Sequence, residues 1–444
     1  MDSSPLPAGA CRRVVIGRLL AVAVPLGVWF APLPLEPLAQ RAFAIASFML
    51  LCWMTQALDH ALAGLIGCYL FWALGVASFH TAFAGFSHTT PWFLFGAILF
   101  GMMATKSGLA RRLAFLVPSG IARVVIMATI ALGLMEAFGV GPGTNIGRGL
   151  FVILTYTATI FDKMIIAGAA SITAQGFIER VGEVEVLWSR WAIAYLPCDL
   201  ITILAAWRLT LWFYPPERAT LPGGSAFLIE ERRKMGAWSA LEKRAALLML
   251  AAIALWLTDF LHHIPAPMIG LGVGLAAALP RIGVLDTEDV RRLNYLLVFF
   301  VASAISMGEV LMATKALDVL TGAITAWLQP LVTNVYSSTL ALYWTGFLYH
   351  IFIGDEVSML STSIPVLMNF ARSHSLDPLS IGMVWTFAAG GKIFVYQSAV
   401  LVVGYSYGQF DGRDLFRMGL CLTIVESIIL LLLVPFYWPL IGIG

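Results

Sequence analysis

WTFAAGGKIFVYQSAVLVVGYSYG, residues 385–408, is apolar enough to enter a membrane, yet it carries Lys392 and a polar break at Gln397-Ser398. A charge at mid-depth of a bilayer costs about 2.5–3.5 kcal/mol on insertion scales, and such residues usually face a pathway or a partner. An earlier stretch, YTATIFDKMIIAGAASITAQG (residues 156–176), has the same layout: Lys163 lies inside an apolar run, followed by Gly168-Ala169-Ala170-Ser171. Two interrupted, lysine-bearing helices, one per half, are the pattern of a carrier built from internal repeats.

The bulk numbers agree with a membrane setting. Of 444 residues, 60% are hydrophobic and 12% charged, with a mean hydropathy of +0.87, more apolar surface than a soluble domain hides. The net charge of +2 says little, and no basic patch points to nucleic acid as a partner. The five cysteines are scattered without metal or redox spacing, and the histidines form no HExxH. FGVGPGTNIGR (residues 138–148) lacks the GK[ST] ending of a phosphate-binding loop. No nucleophile–base spacing points to an enzyme. The N-terminus has basic residues before an apolar run, but Pro25 interrupts that run and no small-residue cleavage site is convincing, which predicts a retained first helix.

Apolar runs follow one another along the chain and predict an all-α polytopic membrane protein with about 10–11 transmembrane helices. The one extended hydrophilic segment, PPERATLPGGSAFLIEERRKMGAWSALEKR, divides it. The expected organisation is an N-terminal transmembrane helix (1–38), a first repeat (39–214), a cytoplasmic linker (215–244) and a second repeat (245–444). Basic clusters at Arg12/Arg13/Arg18, Lys106/Arg111/Arg112, the linker, and Arg281/Arg291/Arg292 all fall on one side by counting crossings. The positive-inside rule makes that side the cytoplasm and places the N-terminus there. Met103-Ala104-Thr105-Lys106 recurs as Met312-Ala313-Thr314-Lys315, and a lysine-bearing interrupted helix follows both copies. By the same count the two lysines lie on opposite faces, as an inverted repeat demands.

These residues resemble the divalent-anion:sodium symporter family of di- and tricarboxylate and sulfate carriers. Residues 83–112, FAGFSHTTPWFLFGAILFGMMATKSGLARR, look like the family's entry to its first hairpin. Met235-Gly236 with Glu242-Lys243 looks like its central linker, and FDGRDLFRMG (residues 410–419) like the segment before its last helix. The resemblance implies two inverted repeats, each with a re-entrant hairpin tipped by Ser-Asn-Thr and a broken helix with a Pro-Pro-Asn-like turn. It further implies an elevator-type homodimer in a bacterial inner membrane.

The matching positions depart from those motifs. The hairpin tips fall on Ser119-Gly120-Ile121 and Asp355-Glu356-Val357, and the broken-helix turns on Ala169-Ala170-Ser171-Ile172 and Ser398-Ala399-Val400-Leu401. Hard cations need oxygen ligands, and glycine, isoleucine and valine supply no side-chain oxygen, so the family's sodium sites are eroded here. Length departs too: about 40 positions separate Lys315 from Asp355, but only about 13 separate Lys106 from Ser119. The first repeat therefore lacks a surface arm and one hairpin limb, relative to the second.

The resemblance implies that Ser119, Gly120 and Ile121 clasp a small anion from one side, with Asp355, Glu356, Val357, Gln397, Ser398 and Ala399 on the other. Lys163 and Lys392 occupy equivalent places. They either supply positive potential where relatives hold sodium, or form ion pairs, Lys163 with Asp162 and Lys392 with Asp355 or Glu356, or snorkel toward an interface. Asp355 and Glu356 at a buried tip are alternatively proton acceptors. The coupling ion stays open between Na+ and H+, no cofactor is expected, and a non-transporting sensor derived from a carrier is the rival reading.

Overall fold

A computed structural model describes residues 8–55, 57–112, 120–218, 233, 236–352 and 356–444. Among the described residues there are helices and no strands. Helices α1 (Ala8–Phe30), α2 (Pro37–Thr55), α3 (His60–Ala73) and α4 (Thr89–Ser107) lead to α5 (Gly120–Phe138). The first interrupted helix follows as α6 (Asn145–Met164) and α7 (Ala169–Gly182), and α8 (Trp188–Phe213) closes the first half. After the hydrophilic segment come α9 (Ala240–Leu257), α10 (Ala266–Ala276), α11 (Tyr295–Ala313), α12 (Ala316–Leu328), α13 (Val335–Phe352) and α14 (Glu356–Ser373). The second interrupted helix is α15 (Pro378–Ala388) and α16 (Ala399–Ser406), and α17 (Gly412–Leu432) is last.

Local chemistry sets many of these ends. Asp59 accepts the first free N–H groups of α3, and capping boxes open α9 (Ser239/Glu242) and α17 (Asp411/Asp414). Helix α4 stops at Gly108, whose φ of +84° suits glycine. Its counterpart α11 ends at Ala313, two residues before Lys315, whose φ is +57°. The Met-Ala-Thr-Lys repeats thus mark two 19-residue helices with similar ends.

Packing between the halves is reciprocal. Helix α4 packs on α10, and α11 packs on α3; α7 lies against α14 and α15, and α16 against α5 and α6. The crossings are close because small residues line them. A methyl group on Gly96 would fall 2.5 Å from the Gly270 carbonyl oxygen, and one on Gly64 2.6 Å from Ser303 Cβ. Without a hydrophobic drive between helices in lipid, such backbone approach supplies the attraction. A large core fills most of the bundle, and a smaller one, around Phe151, Leu401 and Met418, joins α5, α6, α16 and α17.

The outer faces are apolar: Leu204, Trp212, Leu247 and Leu261 are exposed, a surface suited to lipid. Among the described residues, three helical segments are each long and apolar enough to cross a bilayer, at residues Trp188–Phe213, Tyr295–Ala313 and Gly412–Ile441, and shorter apolar helices accompany them. One end of the bundle holds a charged cluster. Lys106 pairs with Asp286 at 2.7 Å and with Asp289, and Arg112 donates to Glu242 at 2.6 Å. The loop after α4, the start of α9 and the loop after α10 therefore meet there. The halves differ where their lengths predicted it: α12 and α13 stand between α11 and α14, whereas the one described element between α4 and α5 is the single turn Leu109–Arg112.

Candidate substrate site

The two interruptions, residues 165–168 and 389–398, take four and ten residues out of the α-helices, the second holding a 3-10 turn at Val395–Gln397. Each leaves carbonyls without helical partners, and in a membrane those must be satisfied internally. Aromatic side chains of neighbouring helices do this. The indoles of Trp191 and Trp188 on α8 donate to the carbonyls of Lys163 and Ile166, at 2.9 and 3.1 Å. Ser171 Oγ donates back to Ile165 at 3.0 Å. At the second break, the Tyr156 hydroxyl on α6 lies 2.8 Å from the Leu415 carbonyl and 3.0 Å from that of Lys392, bridging α17 to the break. Gly419 permits this approach, because a Cβ there would sit 2.0 Å from the Lys392 carbonyl oxygen.

Gln397 organises the longer break from within. Its side-chain oxygen accepts the N–H groups of Ile393 and Phe394, both at 2.8 Å, and its amide donates to the His350 carbonyl at 3.4 Å. His350 Nε2 returns a bond to the Gln397 carbonyl at 3.2 Å. Ser398 then caps α16 by accepting the Val400 N–H at 3.3 Å.

Both lysines are buried, at 2% and 1% exposure, and both are paired. Lys163 Nζ donates to Glu426 on α17 at 3.2 Å and lies 4.1 Å over the Phe387 ring, while Glu426 also accepts from the Tyr343 hydroxyl at 3.0 Å. Lys392 pairs with Glu356 at the start of α14. Lys163 also reaches the other interruption, since its ammonium packs on Gly390. The positive charge expected of the two lysines is thus cancelled locally by two glutamates.

The expected binding residues collect at helix N-termini, the ends that carry partial positive charge. Gly120 and Ile121 open α5, and Glu356 and Val357 open α14. Ser398 and Ala399 open α16, with Ser398 buried and Ala399 exposed. Ser119, Asp355 and the Asp162 side chain lie outside the described residues. One location is corrected. Ala169, Ala170, Ser171, Ile172, Val400 and Leu401 are not unwound turns: they form the first turns of α7 and α16, because Gly168 and Ser398 already supply the extended N-cap conformation.

Sequence reading missed Glu426 and Asp199, the latter a fully buried carboxylate on α8. A usable signal existed. Each is the one acidic residue in a strongly apolar stretch, CLTIVESIILLL and AYLPCDLITILAAW, and ionisable residues in such stretches merit the attention given to the lysines.

Comparison with known proteins places this arrangement. The sodium:sulfate symporter transmembrane region, as a family model, matches residues 12–121 and 113–443, and the two segments meet where the first half is short. A Cupriavidus necator membrane protein is 26% identical over 96% of this chain and 93% of its own. The Escherichia coli citrate/succinate antiporter is 24% identical, over 81% of this chain and 80% of that protein. An L-tartrate/succinate antiporter of Escherichia coli is 21% identical over 98% and 95%. The solved structure of Neisseria gonorrhoeae MtrF, from a class of antimetabolite efflux pumps, superposes with a TM-score of 0.53 at 14% identity, covering 97% of this chain and 95% of that one, a likeness of fold. Matched along nearly its whole length, the chain belongs to the sodium:sulfate symporter (divalent-anion:sodium symporter) family, and is a multi-pass membrane transport protein rather than an enzyme.

Proposed function

We propose that the chain is a secondary carrier for a small di- or tricarboxylate, working by exchange or with protons rather than with sodium. The observation that carries this is Lys392: a buried ammonium in the second interruption, paired with Glu356 at a helix N-terminus. A substrate carboxylate displaces Glu356 from Lys392 and is held by the N-termini of α14 and α16, while Lys163 stands at the same break through Gly390. A fixed ammonium supplies the positive charge that a bound sodium ion would otherwise bring, and Gly120, Ile121 and Val357 at the motif positions offer no side-chain oxygen to a sodium ion. The antiporters among the relatives support an exchange mode.

The reciprocal packing of α3, α4, α10 and α11, and of α5, α6, α7, α14, α15 and α16, supports two inverted repeats. In this reading the half-helices travel as an elevator block in a homodimer of the bacterial inner membrane. The end bearing Lys106, Arg112 and the linker faces the cytoplasm, with the N-terminus.

The test is uptake of labelled succinate, citrate and sulfate into proteoliposomes with a sodium gradient, a proton gradient, or internal counter-substrate. Uptake with counter-substrate and without sodium is expected. A strict sodium requirement would overturn the lysine assignment. Binding without flux under all conditions would favour the sensor, as the short first half allows.

A further inference from the structure

Asp199 lies two residues beyond Pro197 on α8. It is fully buried, and neither carboxylate oxygen meets a hydrogen-bond donor among the described residues. The charged groups that act on it are Lys163 from α6 and Glu426 from α17. Tyr195 and Cys198 are its neighbours on α8 itself. The hydroxyls nearby are committed elsewhere: Tyr195 donates to the Met383 carbonyl at 2.6 Å and Thr202 to that of Cys198 at 2.8 Å. The turn Asp259–His262 also packs on α8, but Asp259 is occupied by the Trp188 N–H and the Ser189 hydroxyl at the helix start. From α9 and the C-terminal turn Trp438–Ile441, also against α8, no charged group among the described residues acts on Asp199.

The cluster therefore holds two acids and one base, and Lys163 is already engaged with Glu426. A buried carboxylate with neither counterion nor donor neutralises itself by taking up a proton. We propose that Asp199, Lys163 and Glu426 form a proton-binding site: the Asp199 carboxyl carries one proton while Lys163 pairs with Glu426, and loss of that proton transfers Lys163 to Asp199, leaving the Glu426 carboxylate with the Tyr343 hydroxyl as its donor. The step breaks the carboxyl O–H bond, the proton leaves to water, and the anion left behind draws the ammonium. Because the ammonium packs on Gly390, its transfer lifts a contact from the second interruption. Proton occupancy is thereby linked to the shape of the break. The inference deepens the carrier reading and, as a coupling mechanism, rests on it.

Two measurements separate the ideas. In lipid-reconstituted full-length protein, infrared difference spectra across pH should show a protonated-carboxyl stretch that vanishes at high pH. Asp199→Asn should remove it and Glu356→Gln should keep it. Glu426→Gln should also remove it, because Lys163 then turns to Asp199 and ionises it; this second variant covers the case in which Asp199→Asn folds poorly. In proteoliposomes loaded with succinate, an outside-acid gradient should raise wild-type succinate uptake several-fold, whereas Asp199→Asn should keep succinate/succinate exchange and ignore the gradient. A band that persists in Asp199→Asn, or a gradient response that survives there, overturns the proposal. Absence of any succinate, citrate or sulfate flux in the wild type sinks the carrier reading instead, and the infrared band alone then decides whether Asp199 holds the proton.

Discussion

The ammonium of Lys163, carried by the first interrupted helix, rests on the backbone of Gly390 in the second: a methyl group built on Gly390 would lie 1.7 Å from Nζ and 2.5 Å from Cε. Two breaks more than 200 residues apart in the sequence are therefore one structural unit. A change at either is felt at the other.

Gly390→Ala tests that unit directly. The new methyl must push Lys163 away from its place between Glu426 and Phe387. Overpacking of this kind costs about 1–3 kcal/mol, so the thermal midpoint in detergent should fall and substrate flux should drop more steeply than stability. Wild-type flux in this variant would mean that the contact is incidental.

Glu426→Gln asks what Lys163 does without its counterion. Breaking a buried pair from one side typically costs about 3–5 kcal/mol, because a charge is left uncompensated. Here Asp199 stands ready to replace Glu426, so the single variant should lose less than that. Adding Asp199→Asn removes the replacement and should bring the full loss, read as chemical-denaturation midpoints of the two variants side by side. Equal losses would place Asp199 outside the cluster.

Glu356→Gln removes the internal anion that competes with substrate for Lys392. Half-saturation for succinate should fall by roughly tenfold, the equivalent of about 1.4 kcal/mol, while Lys392→Ala should abolish flux. An unchanged half-saturation in Glu356→Gln would show that substrate and Glu356 do not share the ammonium.

At the charged end of the bundle, the Lys106 ammonium holds the Asp286 carboxylate down to about 2, against an ordinary 3.8. A carboxylate lowered on folding stabilises the fold above its unfolded value and loses that contribution as pH falls through the folded one. Protease resistance of residues 281–294 should thus persist below pH 4 and fade toward pH 2, whereas in Lys106→Ala it should already fade around pH 4. Identical profiles would mean that the pair does not tether the loop.

Much of this molecule was legible in its sequence. Hydropathy and the spacing of apolar runs are local properties, so the helical membrane class followed from them. Lys163 and Lys392 stood out because a charge in an apolar run is conspicuous whatever it touches. The shorter first half was visible by counting from each Met-Ala-Thr-Lys to the expected hairpin tip that follows it. The turn residues were misplaced by a few positions, because a break is set by which residue caps the next helix, and Gly168 and Ser398 do so one position before Ala169 and Ala399.

Partners were another matter. Lys163 stands 263 positions from Glu426, and no periodicity links α6 to α17. The indoles and phenol that satisfy the broken backbone likewise come from other helices. That buried charge is present, and on which helices it sits, can be read from residue order alone, because the cost of charge in lipid is a property of each residue. That the two lysines are neutralised by Glu426 and Glu356, and that Asp199 has no donor among the described residues, follows only from the packed fold, since counterions are chosen by distance in space.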